Sequence, residues 1–264
     1  MNSRYDDINK NLRYWFDRII AYLTKSRGRK PILYDVGANE GVFTVNYAER
    51  CSRVISFEPT QASYDRLTQE IARAASEGRL DPGRVTPVQI GLADIVATME
   101  IHLYSDDSFN SVYERGEEEL DHYGLQATGR EMITVAPLDR LIEEQQLTPP
   151  DFMKIDVEGA ELSVLRGAQS TLNDARADES AQGRPFIITE YSVDNTENAG
   201  YERELIVAYL EEAGYEVRGL FRNEDTKLYP KDELSDRRIW NLVCIPREES
   251  GAFESPASKH RRNP

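Results

Sequence analysis

Cysteine, histidine and long apolar runs are all scarce in this chain. Only two cysteines, Cys51 and Cys244, and three histidines occur among 264 residues. Two thiols so far apart in sequence form neither a disulfide framework nor a zinc pattern. Each sits beside apolar residues, as buried free thiols do. No run of about 18 apolar residues is present, so no membrane-spanning helix is expected. The segment MNSRYDDINKNLRYWF is charged and lacks the continuous apolar stretch of a secretory signal. A cytoplasmic location is the default expectation. Positive charge is also in deficit: 32 Lys and Arg stand against 47 Asp and Glu, a formal net charge of −15. That balance argues against nucleic acid, whose binding needs clustered cations, and against an anionic membrane surface. It fits a neutral or cationic ligand better than a polyanionic one. What is present suffices for a core: 39% of the residues are hydrophobic, in a length that suits one large domain or two small ones.

The periodicities alternate. Ile8, Leu12, Trp15, Phe16, Ile19, Ile20 and Leu23 recur at helical spacing and predict an amphipathic helix over 4–25, ended by SRGRK. PILYDVG (31–37) reads as a buried strand, 41–50 as a helix, RVISFEP (53–59) as a strand, 61–77 as a helix and RVTPVQIGL (84–92) as a third strand. Strand–helix alternation of this kind implies parallel strands with right-handed crossovers. An insertion at about 98–135 then interrupts it: TMEIHLY alternates like a half-exposed strand, and 105–130 is polar and glycine-punctuated. After a strand and helical turn at 131–142 the pattern resumes, with a strand at 151–156, a helix at 158–174 and a strand at 185–191. A helix at 201–213 precedes strands at 215–221 and 238–245, which only a charged loop separates, so they are expected to pair antiparallel. The organisation is therefore a helical extension (1–30), a main α/β domain (31–246) and a disordered tail (247–264). NDARADESAQGR (173–184) reads as a solvated loop.

Two strand ends carry the chemistry. Asp35-Val36-Gly37-Ala38-Asn39-Glu40-Gly41 joins the first strand to its helix. Glycine there lets backbone approach a ligand, and asparagine tolerates left-handed backbone. The spacing does not match G-x-G-x-x-G, which argues against a nicotinamide cofactor. An acid at Asp35 suits a ligand with an ammonium group. Glu58 ends the second strand, where a carboxylate in nucleoside-binding folds bonds ribose hydroxyls.

The fourth long strand ends in Lys154-Ile155-Asp156-Val157-Glu158-Gly159-Ala160-Glu161. Glu158 and Glu161 are expected to share a face of the helix start and complement its dipole. Asp156 sits at the strand end, and Glu190 ends the next strand, so the two could face one pocket. Converging carboxylates could hold Mg²⁺ or take a proton from a substrate hydroxyl, whereas the missing Cys/His set argues against zinc. His122 lies in the insertion and could reach a substrate as a base, although a solvated loop is the commoner place for it; His102 is expected to face solvent.

YDVGANEGVFT, ISFEP, LDRLI and MKIDVEGAELSVLRGA, in this order, resemble the FkbM-type family of S-adenosylmethionine-dependent methyltransferases. The resemblance covers roughly 31–220. It implies a class I methyltransferase fold: a Rossmann-like, seven-stranded, mostly parallel sheet with the last strand antiparallel and helices on both faces. It implies O-methylation of a sugar, glycan or other small-metabolite hydroxyl. By that resemblance Asp35, Gly37, Asn39 and Gly41 line the methionine part of the cofactor, Glu58 takes the ribose hydroxyls, and Gly91, Leu92 and Asp94 contact adenine. Asp156 falls where related folds place a catalytic or metal-binding acid, with Glu190 and then His122 as further candidates, and Phe109-Asn110-Ser111 faces the pocket. The competing reading is a catalytically silent protein of the same fold that acts by binding a partner. Its N-terminal helix, with Trp15, Phe16 and Tyr22, would then dock on that partner or on a second copy.

Overall fold

The computed structural model describes residues 9–173, 183–221 and 226–253. The run ending in Gly37 forms β1 (Ile32–Val36), and all five of its residues are buried. A strand buried on both faces belongs inside a sheet covered by helices. Its neighbours are β2 (Arg53–Phe57) and β7 (Phe152–Ile155), both parallel to it. The full sheet has seven strands in the order β3 (Val85–Val88), β2, β1, β7, β8 (Phe186–Glu190), β10 (Ile239–Pro246) and β9 (Tyr215–Phe221). Among the described strands of this sheet β10, the last in sequence, runs opposite to the other six.

Alternate strand residues feed two cores. Tyr34, Val36, Phe57 and Ile155 join side chains of α5 (Leu138–Glu144), α6 (Glu161–Gly167), α7 (Gln169–Leu172) and α9 (Glu204–Glu212). Leu33, Val54, Phe152 and Ile188 join α1 (Lys10–Arg27), α2 (Val42–Tyr47) and α3 (Gln61–Ser76). Trp15, Phe16, Ile19, Ile20 and Leu23 of α1 are all buried there, with the Phe16 ring 4.7 Å from Phe152. Each such side chain contributes roughly 1.5–3 kcal/mol on burial. The apolar face that the competing reading would dock on a partner or a second copy packs on the helix's own sheet.

Several expectations need correction. The strand expected over 84–92 breaks in two: β3 pairs with β2 at the sheet edge, while β4 (Gly91–Leu92) joins a second sheet. Pro87, which has no N–H to donate, confines β3 to an edge. The second sheet, in the order β4, β6 (Ala127–Ala136), β5 (Ala97–Tyr104), is built from the expected insertion. β6 starts four residues earlier than expected, in exposed residues that carry no hydrophobic alternation to mark a strand. Within the polar stretch, Glu117–Tyr123 forms α4, with three acids in its first turn and left-handed Gly124 after it. The helix expected from 158 starts at Glu161, because Glu158 (φ 54°) and Gly159 (φ 106°) adopt left-handed backbone. His102 is half-buried, its backbone bridged to Ser111, rather than solvent-facing. Arg247–Phe253, assigned to a disordered tail, forms 3₁₀ turns, and Glu249 accepts from Tyr22 Oη at 2.7 Å. The rest of that tail, residues 174–182 of the expected loop and residues 4–8 of the expected helix lie outside the described residues.

Candidate active site

In an open α/β sheet, ligands bind beyond the strand C-termini where strand order reverses. Here the reversal falls between β1 and β7. A cavity of about 620 Å³ opens at that point, lined by Gly37, Asn39, Gly91 and Leu92 among others, with Glu58 and Lys154 in its wall and Asp156 at one end. Its size is in the range of small-molecule sites.

The loop after β1 is shaped for close approach. Gly37 has φ 75°, and a Cβ there would lie 1.8 Å from the Asp156 carbonyl oxygen. Its N–H donates to the Phe57 carbonyl at 3.0 Å, so β1, β2 and β7 are tied at one residue. Asn39 is left-handed at φ 46°. Its Oδ1 is buried beside the cavity without a hydrogen-bond partner, an acceptor waiting for a donor. Glu58 accepts from the Asn39 N–H at 2.9 Å, the Thr60 N–H at 3.0 Å and the Thr60 hydroxyl at 2.6 Å. Burial pushes the Glu58 carboxyl above its ordinary range, against those hydrogen bonds and the charge of Lys154.

Asp35 is not in the cavity. It is fully buried beneath the loop, where Oδ2 accepts from Thr44 Oγ1 at 2.7 Å and Oδ1 lies 3.4 Å from Lys154 Nζ. The group that reaches the cavity is Lys154. Its ammonium donates to the Gly37 carbonyl at 2.7 Å and lies 3.4 Å from Asp156 Oδ2. Burial alone would push that ammonium down, but Asp156 and Asp35 outweigh it and hold it above its ordinary value. Lys154 precedes Asp156 by two residues in an extended segment, so the two share a face. The spacing of the two residues in the sequence carries that signal.

A second cavity, of about 470 Å³, shares Phe43, Asp106, Asp156 and Glu158 with the first and extends to Glu190, Asn195 and Trp240. Asp156, Glu158 and Glu190 meet here, each offering an oxygen within 4.8 Å of the others. The expected pairing of Asp156 with Glu190 is thus present, and Glu158 completes it. Glu158 gets there through its left-handed backbone, which also removes it from the helical face it was expected to share with Glu161. Glu161 turns back instead to accept from the N–H groups of Val157 and Gly159 at 3.0 and 3.1 Å. Arg115, from the insertion, donates to Glu158 Oε2 at 2.6 Å, to Asn195 Oδ1 at 2.9 Å and to Glu119. Asn195, in α8 (Val193–Asn198), donates to Glu158 and Glu190, both at 2.9 Å. Nothing in the local sequence marks Arg115 or Asn195. Among the FNS residues, Asn110 lines the first cavity, Phe109 the second, and Ser111 donates to the Glu158 carbonyl at 2.6 Å. Gly41 caps α2 and packs against Leu67. Asp94 lines neither of these cavities and accepts from Ser163 Oγ at 2.7 Å. His122 lies exposed on α4 against Tyr123, again outside both linings.

Burial, then the neighbouring Asp156 charge, pushes the Glu158 carboxyl up to about 8 from an ordinary value near 4.5. Burial and the Glu158 charge push Glu190 up as well. The folded state thus keeps protons that the unfolded chain releases, so stability is expected to fall as pH rises from about 4.5 to about 8. Each such proton is worth at most about 1.4 kcal/mol per pH unit in that window. Thermal melts across the range would show the decline, and Glu190→Gln should flatten it. An unchanged slope would remove Glu190 from the proton-binding cluster.

Residues 35–217 match the family described as the methyltransferase FkbM domain, and this span includes the loop after β1, Glu58 and the acid trio. The chain belongs to the FkbM methyltransferase family. Its seven-stranded sheet, mostly parallel with the last strand antiparallel, is the one the resemblance implied. The FkbM chain is 27% identical over 209 residues to the hexuronic acid methyltransferase AglP of Haloferax volcanii, covering 78% of this chain and 73% of that one. It is 26% identical over 211 residues to the methyltransferase sdnD of Sordaria araneosa, covering 71% and 74%. The crystal structure of methyltransferase FkbM from Methylobacillus flagellatus KT superposes with a TM-score of 0.49 at 18% identity, over 81% of this chain and 43% of that one. Among the described residues no helix is long and apolar enough to cross a membrane.

The first cavity fits S-adenosylmethionine by its own chemistry. Asn39 Oδ1 offers an unused acceptor and Glu58 a strand-end carboxylate, and Gly37, whose missing Cβ lets the Asp156 carbonyl close against it, lines the same space.

Proposed function

We propose that this FkbM chain methylates a hydroxyl of a sugar or other polyhydroxylated small molecule, with Asp156 receiving the hydroxyl proton. The observation that carries this reading is the junction of the two cavities at Asp156. Bound in the first cavity, S-adenosylmethionine would supply an electrophilic methyl group on a sulfonium. Gly37, Asn39 and Glu58 would hold it, and the second cavity would present the acceptor from the far side of Asp156. Methyl transfer needs little covalent help, so positioning supplies most of the rate, and a carboxylate at the acceptor oxygen supplies much of the rest. The Asp156 side chain is 42% exposed and that of Glu158 18%, so Asp156 is the more open of these two to an incoming hydroxyl. Lys154 on one side and the Arg115–Glu158 pair on the other fix its surroundings. The sugar-acid substrate named for the Haloferax relative supports a sugar acceptor.

A second reading has its own observation. Three carboxylates within 4.8 Å could hold a divalent cation such as Mg²⁺, which would lower the pKa of an acceptor hydroxyl.

Asp156→Asn is expected to keep S-adenosylmethionine affinity within about twofold while lowering turnover by roughly 10²–10⁴, the span typical of a lost general base. Calorimetric titration and a methyl-transfer assay on a sugar panel, each with Mg²⁺ and with chelator, test both readings. Full activity of Asp156→Asn would refute its role as a base. Turnover indifferent to chelator would discard the cation.

A further inference from the structure

We infer that the second cavity takes an amine-bearing polyol of the aminosugar type rather than a uronate. The inference rests on the acceptor reading above and narrows it to a substrate class. The cavity wall carries Asp106, Glu119, Asp156, Glu158, Glu190 and Asp194 against one cation, Arg115. That arginine has four of its five N–H donors taken and cannot offer a ligand a two-pronged fork. Its side chain is 2% exposed, and it donates to Glu119, Glu158, Asn195 and the Phe109 carbonyl. It also lies over the Phe109 ring, 5.1 Å from the centroid. Among the described residues two cations reach the cavity's acids from outside its lining, and both are engaged. Lys154 is held by Gly37, Asp35 and Asp156, and Arg237 lies 3.6 Å from Asp194. Burial holds Glu158 and Glu190 toward their protonated forms, so the ionised acids Asp106, Glu119, Asp156 and Asp194 exceed these three bases by one, and an ammonium among them would favour ionising the other two.

A sugar carboxylate entering this space would lose its hydration and meet carboxylates, with no guanidinium free to receive it bidentately. Recognition of a carboxylate commonly relies on such a fork. An ammonium group gains at each of those points. The cavity is also built for a ring: Phe109, Tyr123 and Trp240 supply aromatic faces, and Ser192, Asn195 and Asn241 supply polar groups for hydroxyls. Aromatic faces receive both the apolar side of a pyranose and a cation. The ammonium would anchor among the acids while a neighbouring hydroxyl points to Asp156. By this reasoning the chain departs from the hexuronic acid specificity named for its Haloferax relative.

The test titrates glucosamine, glucose and glucuronic acid into the full chain, with and without saturating S-adenosylhomocysteine, at low ionic strength. Glucosamine is expected to bind about tenfold more tightly than glucose, and glucuronic acid more weakly than either, with the preference falling as salt is added. Asp194→Asn should weaken glucosamine several-fold and leave glucose unchanged. Equal binding of the three, tighter binding of glucuronic acid, or no detectable glucosamine binding would overturn the inference. Failure of the methyltransferase reading itself would show separately, as absent S-adenosylhomocysteine binding.

Discussion

The Gly37→Ala variant is expected to lose S-adenosylmethionine binding by at least ~100-fold and to melt roughly 10 °C lower. The new Cβ would stand 1.8 Å from the Asp156 carbonyl oxygen and 2.9 Å from its carbonyl carbon. Those are backbone atoms of the segment that carries the acid trio, so no side-chain rotation relieves the clash. The loop after β1 and the end of β7 must separate, breaking the Lys154 contact to the Gly37 carbonyl and widening the junction of the two cavities. Left-handed strain adds about 1–3 kcal/mol, and forced repacking about as much. A few degrees per kcal/mol in a chain of this size converts that sum to the melting shift. Gly78→Ala is the control: its φ is 70°, yet nothing lies within 4 Å of the new Cβ. It should lose some stability and no cofactor affinity. Equal behaviour of the two variants would mean that close packing at Gly37 does not shape the site.

Glu58→Ala should weaken S-adenosylmethionine by roughly 1.5–3 kcal/mol, the value of hydrogen bonds to a charged group, which is about 10- to 150-fold in Kd. The loss has two parts. Ribose hydroxyls would lose their acceptor, and the loop would lose its brace, because Glu58 also receives the N–H groups of Asn39 and Thr60. Glu58→Gln separates the parts. Each Glu58 oxygen already accepts at least one hydrogen bond, so one side of the amide must turn a donor toward a donor. The loop should shift even though the side chain keeps its size. Calorimetry on both variants, with circular dichroism to confirm folding, gives the answer. Unchanged affinity in Glu58→Ala would refute the ribose assignment.

The parallel strands that meet at the site were legible because they are short apolar runs ended by glycine or proline and spaced by helical periods. Local chemistry produces such signals, and they survive in one dimension. The strand ends holding Gly37, Glu58, Asp156 and Glu190 followed from them, as did the antiparallel pairing of β10 with β9. The second sheet was less legible. β6 begins with exposed residues, and β4 is only two residues long, so neither announces itself by burial. α4 could have been read from its triple-acid start and terminal glycine.

From its sequence alone, this chain can be recognised as an FkbM methyltransferase with its motif residues at the strand C-termini. Only the tertiary structure decided which of those residues line a cavity. Asp35 turns inward to Thr44 and Lys154, and Asp94 and His122 lie elsewhere. Glu158 joins Asp156 and Glu190 through a left-handed turn, and Arg115 arrives from the insertion, 43 residues from Glu158, to donate to it. Side-chain direction at a strand end depends on packing from distant elements, and the charge of a cavity is a sum over residues that are neighbours only once the chain has folded.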